Sequence, residues 1–140
     1  MNRRAMVVTE AQSWLCTPYH HMGRIKGGGT DCLMLLAEVY ERAGITPHVE
    51  PEHYPPDWHF HRSAERYLEG LMYLAIEVEA PQPGDVALFK FARCYSHGAI
   101  VTDWPMIIQA HWELGVCRMD GRNGIFRDRP VRFFDPFGAR

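Results

Sequence analysis

A chain of 140 residues, 46% of them hydrophobic, can close a core without metal or disulfide staples, and residues 1–140 read as a single domain. Fifteen Lys and Arg against seventeen Asp and Glu leave a formal charge of −2, which argues against a nucleic-acid partner. No run is apolar enough to span a bilayer, and Met1-Asn2-Arg3-Arg4-Ala5-Met6 leads into amphipathic sequence rather than a signal-peptide core, so the expectation is synthesis in the cytoplasm without a signal peptide and no membrane insertion.

Met6, Val7, Ala11, Trp14 and Leu15 recur at helical spacing, which predicts an amphipathic helix over residues 5–15, stopped near Pro18. The stretch from Gly23 to Thr30 is glycine-rich but lacks the Gly-Lys-Ser/Thr ending of a phosphate loop, so it reads as a loop whose glycines let backbone pass close beside a cleft. Thr30 or Asp31 then caps an apolar helix, Cys32-Leu33-Met34-Leu35-Leu36-Ala37 onward to about Ala43, with Gly44 at its C′ position. Four prolines between residues 45 and 58 exclude a long regular element there. Ala64, Tyr67, Leu68, Leu71, Met72 and Ala75 restore a helical period and predict a third helix from Arg62 to Leu74.

After Pro81 the period becomes that of strands. Asp85 to Phe91, Gly98 to Asp103, Met106 to His111, Gly115 to Met119 and Val131 to Phe134 are short β-prone runs, and the polar stretch from Gly121 to Arg129 reads as a loop. Helices first and strands afterwards make an α+β domain, with an antiparallel meander packed on the Cys32 helix.

The four cysteines, Cys16, Cys32, Cys94 and Cys117, show no C-x-x-C spacing, so neither a zinc knuckle nor a redox motif is indicated. His20-His21 and His59-Phe60-His61 lack the Cys/His/Asp quartet that a zinc site needs, and no metal or cofactor is expected. Cys32 differs from the other cysteines in standing at a helix start, where unpaired N–H groups and the macrodipole favour thiolate. The alternative reading is a buried small hydrophobe. His97 follows 65 residues later and supplies a base for such a thiol. Its neighbours by alternation, Ala99 and Val101, are small enough to let a helix approach that face. A base needs a third group to orient it, and Gln109 and His111 share one face of the next strand.

Together, Pro18-Tyr19, the glycine run, Asp31-Cys32, Pro83-Gly84-Asp85-Val86, Ser96-His97, Ile108-Gln109-Ala110 and Gly115-Val116 resemble, in order, the NlpC family of papain-like cysteine endopeptidases that cut murein. The segment from Tyr54-Pro55-Pro56-Asp57-Trp58 to Arg66-Tyr67-Leu68-Glu69-Gly70 looks most like variants encoded with phage and gene-transfer-agent tails. The resemblance implies a circularly permuted papain-like fold with N-terminal helices packed on the meander. It also implies hydrolysis of an amide in the peptidoglycan stem peptide, typically between γ-D-glutamate and a diamino acid. Cys32 then matches the nucleophile, His97 the base, and Tyr19 a tyrosine supporting the oxyanion. Asp31 and Ser96 match residues that hold the substrate's free amine. The family's third residue is often histidine where this chain has Gln109; glutamine accepts the imidazole N–H without adding charge, and His111 is the alternative third residue. Partners implied are the wall peptide and tail hub or tail-tip proteins, with incorporation into a phage-like particle. Two other readings stand beside this one: a tail-tip structural protein of the same fold without useful turnover, and an amidase or acyltransferase using the same triad.

Overall fold

Asn2 opens the first helix: its Oδ1 accepts from the Ala5 N–H at 2.7 Å, satisfying one of the donors that a helix start leaves orphaned. The computed structural model describes residues 2–48, 50 and 75–137. Helix α1 spans Arg3–Gln12, so this cap sets a start two residues before the sequence-predicted one, and Trp14 lies fully buried just beyond the helix end. The predicted helix from Arg62 to Leu74, like the tail-like segment around Trp58 and the His59/His61 pair, lies outside the described residues.

The glycine run does more than the loop expected of it. It forms a small antiparallel hairpin, β1 (Arg24–Ile25) and β2 (Gly29–Thr30). The glycines do permit close approach: a Cβ on Gly29 would lie 2.7 Å from His20 Cβ, and one on Gly23 would lie 2.7 Å from the Gly29 carbonyl oxygen. Helix α2 follows at Cys32–Arg42, one residue shorter than expected, and Gly44 closes it with φ of +77°, the left-handed conformation that a helix C′ position favours. Leu33, Leu35, Leu36, Val39 and Tyr40 are fully buried, each apolar side chain contributing roughly 1.5–3 kcal/mol by leaving water.

Six strands make the main sheet: β3 (Ile76–Val78), β4 (Val86–Phe91), β5 (Cys94–Asp103), β6 (Met106–His111), β7 (Gly115–Asp120) and β8 (Val131–Asp135). Strands β4 to β7 are the expected meander. The last strand then returns across the sheet to pair with β4, and the short β3 adds outside it, giving the antiparallel order β3-β8-β4-β5-β6-β7. Both faces of the sheet are covered. Val86, Leu88, Ile100, Ile108, Ala110 and Val116 pack with α1 and α2, while Ala87, Phe89, Ala99, Val101, Ile107 and Phe126 form a second cluster on the other side. Phe126 belongs to a single 3₁₀ turn, Gly124–Phe126, inside the stretch that its polarity marked as loop.

Arg4 adds ion pairs that tie α1 to the sheet. Arg4 donates from Nη1 to Asp85 Oδ1 at 2.8 Å and from Nη2 to Asp135 Oδ2 at 2.6 Å, both carboxylates being nearly inaccessible. Asp85 also accepts from the Gln82 N–H at 2.8 Å. The Pro83-Gly84-Asp85-Val86 motif therefore serves as a clamp at the start of β4, and Tyr40 of α2 donates its hydroxyl to the Gly84 carbonyl at 2.8 Å.

Candidate functional site

The site begins with a cap. Asp31 is fully buried, and its Oδ1 accepts from the Met34 N–H at 2.9 Å while Oδ2 accepts from the Met22 N–H at 2.8 Å. One carboxylate thus fixes the start of α2 and the turn after His21, whose Nδ1 lies 3.9 Å from Oδ2. The next residue, Cys32, is only 2% exposed. Its sulfur accepts hydrogen bonds from the backbone at Gly98, Cys32 and Leu33, which lays the first turn of α2 over strand β5.

These backbone donors pull the thiol toward ionisation, as the helix start predicts, but they do not prevail. Burial, reinforced by the neighbouring Asp31 carboxylate, holds the Cys32 thiol well above the usual thiol range. Burial thus opposes the thiolate that the helix start favours. The same surroundings act on Tyr19: burial first, then the charges of Cys32 and Asp31, push its phenol upward. Tyr19 is brought there by pairing with Thr30 across a parallel bridge, with the His20 N–H donating to the Thr30 carbonyl at 3.0 Å. The segment before it is pinned from the far side. The Cys16 N–H donates to Val116 O at 2.9 Å and the Val116 N–H to Thr17 O at 2.8 Å, and a Cβ on Gly115 would lie 2.4 Å from Thr17 O. The Gly115-Val116 motif is the seat of the Tyr19 loop.

Strand β5 carries Ser96 and His97. It starts at Cys94 rather than Gly98, so both residues lie inside the strand. Phe89 pairs with His97 and Lys90 with Tyr95, leaving Ser96 as the extra residue of a β-bulge, a device that re-aims a neighbouring side chain. Ser96 is fully buried. The face assignment drawn from alternation is corrected: Gly98 and Ile100, not Ala99 and Val101, lie toward α2, with a Cβ on Gly98 only 2.8 Å from Leu36 Cδ2. Ala99 and Val101 belong to the aromatic cluster, and His97 lies with Phe91 and Phe126, ring centroids 5.1 and 5.5 Å away.

Of the two orienting candidates, Gln109 meets His97. The fully buried amide places Oε1 3.0 Å from His97 Nε2. Its Nε2 faces Cys117 Sγ at 3.5 Å and Met119 Sδ at 3.1 Å. With the amide nitrogen toward sulfur, the oxygen faces histidine and can only accept, an arrangement that matches the imidazole tautomer protonated on Nε2. His111 shares the face but is otherwise engaged. Its Nδ1 accepts from the N–H groups of Glu113 and Leu114 at 3.0 and 3.2 Å, closing the β6–β7 turn, and its ring stacks on Trp112. Cys117 and Met119 went unrecognised as neighbours of the site. The signal was the β6–β7 register, which pairs Gln109 with Cys117 and Ile107 with Met119.

Of the histidines weighed for metal, His20 has its Nδ1 3.0 Å from the His21 carbonyl, and His21 lies against Asp31. Among the described residues, Glu38, Glu41 and His48 bring potential ligand atoms within 4.8 Å of one another, but Glu38 is already paired with Arg24 at 2.7 Å and with Arg42 at 3.3 Å. No described helix is long and apolar enough to cross a membrane.

No family sequence model and no curated protein sequence matches the chain. Solved structures do. The chain superposes on the NlpC/p60 domain of the peptidoglycan hydrolase SagA with a TM-score of 0.61 at 18% identity, covering 94% of this chain and 97% of that one. An NlpC/p60 family protein from Bacillus cereus gives a TM-score of 0.67 at 17% identity over 92% of this chain and 39% of its own. NlpC1 from Trichomonas vaginalis gives 0.69 at 16% identity over 99% and 45%. The chain therefore has the α+β papain-like fold of NlpC/p60 domains, spanning nearly all of the first of these structures and less than half of the other two.

Proposed function

We propose that this chain is a cysteine endopeptidase acting on peptidoglycan stem peptides, cutting the amide between γ-D-glutamate and a diamino acid. The observation that carries the reading is the contact of His97 Nε2 with Gln109 Oε1 at 3.0 Å, on the same strand whose Gly98 backbone bonds the sulfur of the helix-start Cys32. With Nε2 engaged by glutamine, Nδ1 is the imidazole nitrogen that takes the thiol proton. The fold shared with a domain of the peptidoglycan hydrolase SagA supports the substrate class.

In this reading the Cys32 thiol gives its proton to His97 as the sulfur attacks the amide carbonyl. Proton transfer is thus coupled to attack, which suits a thiol whose ionisation is opposed by burial. Tyr19, close enough for its ionisation to feel Cys32, supports the oxyanion. The tetrahedral adduct expels the amine, which takes the proton from the imidazolium and leaves a thioester on Cys32. Water then adds to the thioester carbonyl with His97 as base, releasing the carboxylic acid and restoring the thiol. Asp31 and Ser96 hold the free α-ammonium of the stem peptide. Both Asp31 oxygens accept a backbone N–H, which fixes the carboxylate in place, and an ammonium facing a carboxylate makes a charge-assisted contact.

The tail association suggested by the segment around Trp58 forms part of this proposal, with a tail hub or tip protein as partner. The rival reading, a tail-tip protein of this fold without turnover, is favoured by one observation, the burial of Cys32, which opposes its ionisation. Digestion of purified peptidoglycan followed by mass spectrometry separates the two. The peptidase releases fragments with new termini within the stem peptide, and Cys32→Ser abolishes them; intact stem peptides after prolonged digestion with the unaltered protein would leave the structural role standing.

A further inference from the structure

We infer that Met119, assisted by Cys117, is a positioning residue that sets the protonation of His97 through Gln109. A glutamine amide has two faces of opposite polarity, and rotation by about 180° exchanges its oxygen and nitrogen at nearly the same volume. If the nitrogen faced His97, it would donate to Nε2, and the imidazole proton would move to Nδ1. The nitrogen that must receive a proton from the thiol would then already hold one.

Strand pairing places a polarity selector on the far side of this amide. Cys117 lies directly opposite Gln109 in the β6–β7 ladder, and Met119 opposite Ile107, so both sulfurs flank the amide on the side away from β5. Gln109 Nε2 lies 3.1 Å from Met119 Sδ and 3.5 Å from Cys117 Sγ. A thioether accepts hydrogen bonds and never donates, whereas a thiol does either. Met119 is therefore the stricter selector: the reversed amide would turn its oxygen toward a sulfur with no proton to offer. Gln109 is fully buried, so water does not compensate an amide facing the wrong way.

The inference rests on the proposed role of His97, but its central claim concerns a tautomer and is read without substrate. The experiment is long-range proton–nitrogen NMR of the His97 ring in the unaltered protein, Met119→Leu and Met119→Leu/Cys117→Ala, with the pH dependence of Cys32 alkylation measured on the same samples. Met119→Leu keeps an apolar side chain of similar size and removes the acceptor. The proton on Nε2 is expected in the unaltered protein, with a Nδ1-protonated population growing in Met119→Leu and further in the double variant. Neutral-pH alkylation of Cys32 should fall on the order of five-fold, the equivalent of one hydrogen bond. Gln109→Glu provides the control for packing, because its two carboxylate oxygens are equivalent and have no polarity to select. In that background Met119→Leu should leave the tautomer and the alkylation profile unmoved.

An unchanged tautomer in the double variant, or an equal effect of Met119→Leu in the Gln109→Glu background, overturns the inference. If Met119→Leu does not fold, Met119→Gln replaces it: its amide donates as well as accepts, so it no longer selects the polarity of Gln109, a Nδ1-protonated population should appear, and an unmoved tautomer overturns the inference. Absence of stem-peptide cleavage together with a responsive tautomer rejects the proposed function and leaves the selector intact.

Discussion

Gly98 of β5 and Leu36 of α2 are packed so closely that a Cβ on Gly98 would lie 2.8 Å from Leu36 Cδ2. Leu36 is fully buried, so its methyl has no solvent to swing into, and the backbone beneath it is the one that bonds the Cys32 sulfur. Gly98→Ala should lift the first turns of α2 from the strand, costing about 1–3 kcal/mol of stability as overpacking. Because the Gly98 bond lowers the Cys32 ionisation range, its loosening should also move the midpoint of Cys32 alkylation to higher pH. Denaturant titration and a pH series of alkylation measure the two effects, and a thiol midpoint unmoved by a destabilised variant would dissociate them.

Asp31→Asn tests the electrostatics of the same thiol. Asparagine keeps an oxygen for the Met34 N–H and is an equally good N-cap, so α2 should hold. The charge that raises both Cys32 and Tyr19 is gone, and both groups should ionise at lower pH, with burial still holding each above its ordinary range. Alkylation rates follow the thiol and ultraviolet absorbance the phenol. In the proposed peptidase the same change raises KM for peptides with a free amine more than it lowers kcat, because a ground-state contact is lost. Equal KM for free and N-acetylated peptides in the unaltered protein would sink the amine site.

Stability should fall at alkaline pH for the same reason. A thiol whose folded-state range lies above its unfolded value keeps its proton in the folded chain after the unfolded chain has lost it. Folding stability therefore declines once pH passes the unfolded thiol value, about 8.5. The phenols of the half-buried Tyr19 and the buried Tyr40, both raised chiefly by desolvation, extend the decline above their unfolded value of about 10. Cys32→Ser should reduce the first part of the curve, leaving there the share of Cys117, which burial also raises, and leave the second. Denaturation midpoints taken from pH 7 to 11 read this directly; identical curves for the two proteins below about pH 10 would show that Cys32 contributes no linkage there.

The sequence made the thiol's helix legible because its cues were local: Asp31 caps, the leucine run packs and Gly44 ends it. The hairpin within the glycine run was not legible. Its two-residue strands are held by partners distant in the chain, Thr17 among them, whose Oγ1 accepts from the Gly27 N–H at 3.0 Å. Alternation along β5 found two faces but misassigned them. A strand buried on both sides offers no polar residue to mark the outside, and the deciding feature was the missing side chain at Gly98. Phe126 illustrates the same difficulty, one buried aromatic within a polar stretch that supplies a wall beside His97. At the orienting position alternation left Gln109 and His111 both open, and motif order chose Gln109, the residue the structure brings to His97, whereas the sulfurs behind it became visible only with the β6–β7 register.

Arg4 offers a prediction on stability alone. It is the cation between Asp85 and Asp135, two carboxylates with almost no exposure. Arg4→Ala leaves both without that partner and detaches α1 from β4 and β8. The cost should be about 3–5 kcal/mol, as when one member of a buried ion pair is removed. Arg4→Lys should recover part of the charge but not the fork that reaches two carboxylates at once. A loss of under about 1 kcal/mol in denaturant would mean that the pairs behave as exposed ones do.

Gln109 and His111 lie on one face of β6 but have different partners, and their variants should fail in different ways. Gln109→Ala removes the acceptor from His97 Nε2, leaving the imidazole free to change tautomer and angle. A group that only orients the base acts on rate, so kcat should fall on the order of ten- to a hundred-fold with KM nearly unchanged, less than for the charged orienter of a serine triad. His111→Ala removes instead the acceptor for the Glu113 and Leu114 N–H groups, loosening the β6–β7 turn at a cost of about 1 kcal/mol, with only a minor effect on kcat. Gln109→His should keep or raise activity, since an imidazole at the same position also accepts from His97. Steady-state kinetics on a defined stem peptide, with denaturation of each variant, separate the outcomes. A silent Gln109→Ala beside a damaging His111→Ala would assign the orienting role to His111 and detach the 3.0 Å contact of Gln109 with His97 from the chemistry.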